Sequence, residues 1–154
     1  MSKILDQKMA EKAINLAVPS IELALQQVAK RVAMHVIVGT RELDGSGWNE
    51  LATRSFGNEW EIEFDIIAQG KFNISGRTGL DSRMVQLTMP ELIDPEDVLY
   101  WGSVVRGTIV VACSGVEAYF DEAIANMVAG WCRALIQHEL EQRRASAMGD
   151  TYDS

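Results

Sequence analysis

The stretch Gly107-Thr108-Ile109-Val110-Val111-Ala112-Cys113-Ser114-Gly115, followed by Val116-Glu117-Ala118-Tyr119-Phe120-Asp121-Glu122 and a helical pattern reaching Trp131, decides the fold. Thr108 to Cys113 is short, rich in β-branched residues, free of charge and bounded by glycines, so it predicts a strand buried on both faces. The chain then turns at Ser114-Gly115 directly into a helix. Phe120, Ile124, Met127, Trp131 and Leu135 fall at the spacing of one face of that helix. Glu117, Asp121 and Glu122 stand at the positive end of its dipole, and Arg143 and Arg144 at the negative end.

Working outward, Ile4 to about Lys30 reads as helical, with Met9, Ala13, Ala17, Ile21, Ala24 and Val28 on one stripe. Pro19 lacks an amide hydrogen and predicts a kink or break, with Ser20 and Glu22 restarting the helix. Arg31 to Gly39 is a β-branched strand, and the turn Asp44-Gly45-Ser46-Gly47 leads into a returning strand from Trp48 to about Phe56. Trp60, Ile62 and Phe64 alternate with Glu61, Glu63 and Asp65, the period of a half-buried third strand. A short helix follows over Asp65 to Ser75, with Ile66, Ile67, Gly70 and Ile74 inward. Gly76 to Asp97 carries Gly79, Asp81, Pro90 and Pro95 and reads as an irregular surface segment or lid. Val98 to Trp101 and Val104 to Cys113 then read as strands joined by a Gly102-Ser103 turn. This order predicts an α+β fold, an antiparallel sheet of about five strands flanked by helices. Profilin-like and PAS-like folds share such α/β/α layers.

Composition narrows the function classes. The 154 residues are 47% hydrophobic and 23% charged, which suits one globular domain over 1–144 with a flexible tail over 145–154. Fourteen basic against 22 acidic residues give a net charge of -8, which disfavours nucleic acid and anionic membrane surfaces as partners. No signal-peptide succession and no apolar run of about 18 residues is present, so a cytoplasmic protein is expected. Buried free thiols are the expectation for Cys113 and Cys132, with a strand-to-helix disulfide as the alternative.

Gly102 to Ala125, with its Gly-Thr-Ile-Val-Val-Ala-Cys-Ser-Gly strand and its Asp121-Glu122-Ala123-Ile124-Ala125 helix start, resembles the GlcG/HbpS-like family of haem-binding and corrinoid-associated domains. The alanine spacing of Ala10, Ala13, Ala17 and Ala24 is similar to that family's first helix. Lys71-Phe72 stands nearest to its Lys-Ala pair, and Ser82 to its short serine motif. The Gly-Gly-x-Pro segment of the family is replaced by Asp94-Pro95-Glu96-Asp97 and Leu99-Tyr100-Trp101. The resemblance implies a small-molecule binding module, with haem as the possible cofactor.

Six residues stand out as candidate ligand contacts. Lys71, Arg77, Ser82 and Arg83 cluster where the middle helix meets the irregular segment, and three cations there suit a carboxylate or propionate. Trp101, with Tyr100 and Trp131, offers flat apolar surface for a ligand or for a subunit interface. His35 sits in an apolar strand, where a ring nitrogen is either internally satisfied or an axial ligand. His138-Glu139-Leu140-Glu141-Gln142 lacks the second histidine of a zinc helix, and no metal site is expected. No catalytic residue is selected: Ser82 has no base in sight, and Cys113 ends a buried strand. Two readings remain, a small-molecule binding module in a homo-oligomer, and a small catabolic enzyme or accessory subunit acting on a carboxylated molecule.

Overall fold

The Ile109–Ser114 segment is a strand, β4, with all six residues buried. The computed structural model describes residues 4–28, 33–57 and 63–148. Strand β4 pairs with β1 (Met34–Arg41) on one side and β3 (Ser103–Arg106) on the other. The hairpin partner β2 (Trp48–Phe56), bounded as the sequence predicts, completes an antiparallel sheet of order β2-β1-β4-β3. Because β1 and β4 are central, both of their faces are covered. Met34, Val36, Val38, Val111 and Cys113 face the helices α1 (Gln7–Gln27) and α4 (Ala118–Ala147). Ile37, Val110 and Ala112 face Ala68 and Phe72 of α2 (Phe64–Thr78). The result is the expected α+β architecture in α/β/α layers.

The helices are rotated from their sequence-based faces. On α1 the buried stripe is Ala10, Ala13, Ile14, Ala17, Ile21 and Leu25, while Val28 is exposed. The helix is capped by Asp6, which accepts from the Met9 amide at 2.8 Å, and it runs unbroken through Pro19. Pro19 and Asn15 both lie on the exposed side, where water can take the carbonyl that proline leaves unpaired. On α4 the buried residues are Asp121, Ile124, Ala125, Val128, Ala129 and Cys132, and Trp131 is turned outward. Alanines on both helices let α1 and α4 pack closely, so small residues and not the bulkiest ones set the inward face. On α2, Ala68, Lys71, Phe72, Ile74 and Ser75 are inward and Ile66 is exposed. Helix α4 extends to Ala147, and residues 149–154 lie outside the described chain.

One expected strand lies mostly outside the described residues, and a second requires correction. Of the proposed strand around Trp60, residues 58–62 lie outside the described chain, and Phe64 opens α2. Val98 to Trp101 is not a strand, and the tight turn falls at Gly107-Thr108 between β3 and β4. The reason lies at the outer edge of β3. The amides of Gly102 and Ser103 donate to Ser82 Oγ, each at 3.0 Å, and that of Val105 donates to Asp81 Oδ1 at 2.9 Å. Side chains at the start of α3 (Ser82–Thr88) thus satisfy the donors that a fifth strand would have used, which closes the edge. The irregular segment therefore contains α3 and a single 3-10 turn, Pro90–Leu92.

Candidate functional site

At the end of β4 the chain must turn from the sheet into α4, and this turn forms one wall of a pocket. Ser114, Gly115, Val116, Glu117, Ala118 and Asp121 supply that wall; Phe64, Ile67 and Lys71 of α2 and Tyr100 and Trp101 supply the others, around a volume of about 290 Å³. Tyr100 and Trp101 are placed by tethers on the segment before them. Arg77 binds Asp97 Oδ2 at 2.7 Å, Gln86 Nε2 donates to the Val98 carbonyl at 2.7 Å, and Val98 lies so close to α2 that a Cβ on Gly70 would stand 2.4 Å from it. Gly70 is therefore a contact surface, despite weakening the helix in isolation.

The floor of the pocket is an ion pair. Lys71 Nζ lies 3.1 Å from Asp121 Oδ2 and donates to the Cys113 carbonyl at 2.9 Å, with Lys71 only 2% and Asp121 only 1% exposed. The other carboxylate oxygen accepts from the Val116 amide at 3.2 Å. Burial pushes the Asp121 carboxyl up to about 7, against the charge and hydrogen bond of Lys71 and the Val116 amide, with Glu117 adding to the rise. Gly102 makes the approach possible. Its φ is +150°, and a Cβ there would lie 2.8 Å from Asp121 Cβ and 2.9 Å from Lys71 Nζ. Beside the pair, Glu117 Oε2 is buried with no hydrogen-bond partner, an arrangement that costs about 1–3 kcal/mol in general.

Of the six residues singled out in the sequence, Lys71 and Trp101 line this pocket. Arg83 stands at its margin, 3.0 Å from Glu122 and 5.9 Å from the centroid of the Trp101 ring. Arg77 does not line it; its guanidinium holds Asp97, Asp94 and the Leu92 carbonyl. Ser82 is buried, and its hydroxyl serves the edge of β3. His35 lies on β1 in register with Ser114, with Nδ1 2.9 Å from Ser55 Oγ, and it is not a pocket wall. Burial lowers the His35 pKa, while Asp65 and Glu50 act to raise it. The sequence reading passed over Asp121 and Glu117 as helix-dipole acids. A signal for Asp121 did exist: it falls in step with Ile124, Ala125 and Val128, on the buried face.

The chemistry open to these groups is restricted. Cys113 is wholly buried, which drives its thiol well above the ordinary value, and burial pushes Cys132 up to about 12, so neither is an activated nucleophile. Both cysteines are free, and no disulfide joins them. Asp121 can exchange a proton near neutrality, yet both of its oxygens are already bonded. Among the described residues no group of three His, Cys, Asp or Glu side chains can cage a metal. Tyr100 is the one lining side chain of a type that ligates haem iron, since no His, Cys or Met lines the pocket, and the volume of about 290 Å³ lies at the lower limit for organic ligands. No helix of the described chain is long and apolar enough to cross a membrane.

No protein-family model matches the sequence, and no curated relative does. Among solved structures the chain is similar to the Klebsiella pneumoniae protein ORFY, a DUF336 protein, with a TM-score of 0.57 and 16% identity over 86% of this chain and 95% of the other. DUF336 is the GlcG-like family, so the neighbour lies in the direction that the Gly102 to Ala125 resemblance indicates. At that identity the likeness shows a shared α+β fold.

Proposed function

We propose that this chain is a small-molecule binding module and that the pocket between α2, Tyr100-Trp101 and the start of α4 is its site. The observation that carries this reading is the Lys71–Asp121 pair, buried at 2% and 1% exposure beneath a concavity whose other walls are largely apolar. A charge pair so placed is costly for a purely structural role, since removing two ions from water offsets much of their attraction. Its effect here is to fix the turn after β4 from both sides. Lys71 holds the Cys113 carbonyl and Asp121 holds the Val116 amide, so the wall from Ser114 to Glu117 is set before any ligand arrives. Phe64, Ile67 and Trp101 exclude water from the ligand's flat faces. The disarmed thiols and the fully engaged Ser82 hydroxyl favour binding over catalysis, and the fold shared with a DUF336 protein supports a binding domain in the coarse sense.

A fragment library screened by amide chemical-shift mapping tests this reading. Hits should converge on the Val116, Glu117 and Ala118 amides and on the Trp101 indole. Reproducible hits that cluster elsewhere, or a library that leaves those signals unmoved, would refute it.

A further inference from the structure

We infer that the pocket selects a small organic cation: a flat apolar body bearing a primary amine or amidinium, with Glu117 as its counter-charge. The inference rests on reading this pocket as the binding site and adds the chemical class of what it takes. The argument begins with the charges on its walls, which are Lys71, Glu117 and Asp121. Lys71 is engaged by Asp121 at 3.1 Å, leaving the Glu117 carboxylate without a cation of its own. Glu117 forms no ion pair among the described residues, and its Oε2 is shut away from water without a donor. An ammonium entering the pocket supplies the counter-charge that the Glu117 carboxylate lacks.

The cations that could have drawn an anion here are committed elsewhere. Arg77 is held by Asp97 and Asp94, and Arg83 by Glu122, so neither guanidinium lines the pocket. Two donors of the Lys71 ammonium are taken by Cys113 and Asp121. The amino end of α4 would ordinarily attract an anion, but Glu117 occupies its cap position and Asp121 its first turn. A ligand carboxylate would therefore meet a carboxylate. The remaining walls favour a cation as well, because Phe64, Tyr100 and Trp101 present aromatic rings. Trp101 already has one cation over it, the Arg83 guanidinium at 5.9 Å.

Benzylamine, benzyl alcohol and benzoate have one shape and three charges, and they serve as the probes. Titrated into the wild-type chain and followed at the Val116, Glu117 and Ala118 amides, benzylamine should bind about tenfold tighter than either of the others. In Glu117→Gln, checked for native circular dichroism, that preference should fall to near parity. Benzoate or benzyl alcohol binding at these amides as tightly as benzylamine overturns the cation assignment and leaves the pocket reading standing. So does an undiminished preference in folded Glu117→Gln. If none of the probes moves these amides, the cation assignment and the pocket fall together. The wild-type series decides the matter even if the variant fails to fold.

Discussion

Lys71→Met deletes an ammonium and keeps most of its aliphatic stem, so its effect isolates the buried ion pair. The lost group holds the Cys113 carbonyl at 2.9 Å and Asp121 Oδ2 at 3.1 Å. Near pH 6 the Asp121 carboxyl, whose folded value is about 7, is largely protonated already, so the substitution leaves little uncompensated charge behind. What is lost there is hydrogen bonding to a charged donor, worth about 1.5–3 kcal/mol. Above pH 7 the two proteins diverge. An unfolded carboxyl titrates near 3.8, so between that value and its folded one the native state holds a proton that the unfolded chain does not. Stability then falls by about 1.4 kcal/mol for each pH unit gained. In the wild type this fall ends near pH 7, whereas in Lys71→Met the opposing ammonium is gone, the carboxyl titrates higher, and the fall continues. The penalty of the substitution is accordingly flat below pH 7 and about 2 kcal/mol larger at pH 8.5. Urea unfolding followed by circular dichroism, at pH 6, 7 and 8.5, reads this difference. A penalty that stays constant across the range would refute the Lys71 ammonium as the group that opposes burial at Asp121.

Other substitutions probe how the site is held. Ser82→Ala removes the acceptor of the Gly102 and Ser103 amides, two buried donors, and should lower stability by about 2–4 kcal/mol in thermal unfolding; a loss below about 0.5 kcal/mol would count against the edge-closing role. Gly102→Ala should prevent the native pocket from forming, because its Cβ would crowd Asp121, Lys71 and Cys113. Gly107→Ala, at φ +65° with nothing within 4 Å, should cost only about 1 kcal/mol, and equal melting temperatures for the two variants would refute the packing argument. Cys113 and Cys132 are both buried with raised thiol values, so a chromogenic disulfide should label them at pH 8 only as fast as the chain unfolds. Rapid labelling of either thiol in the folded chain would contradict that.

How far the fold was legible follows from where local signals dominate. Strand β4 was readable because a charge-free β-branched run between glycines has few alternatives, and β2 because a turn signal and a length fixed both of its ends. The face of each helix was less readable. A stripe chosen by side-chain size points to Trp131, while the close packing of α1 on α4 is decided by Ala125 and Ala129 against the alanines of α1. The fifth strand failed for a non-local reason: Asp81 and Ser82, about 20 residues upstream in sequence, occupy the edge that it would have joined.

The candidate site was legible only in halves. Lys71 and Asp121 are 50 residues apart, and each alone reads as an ordinary charge on an amphipathic helix. Each also breaks an apolar stripe, between Ala68, Phe72 and Ile74 in one case and ahead of Ile124, Ala125 and Val128 in the other. A cation and an anion that both interrupt buried faces imply one another, since neither is stable there alone. What sequence could not supply is the route between them. Helices α2 and α4 lie on opposite faces of the sheet, and they meet past its end at Gly102, the position where a side chain would separate Lys71 Nζ from Asp121 Cβ. The pair thus fastens the two outer layers together at the point where the sheet gives way to the pocket. Any ligand resting on it is held by a floor that belongs to both layers.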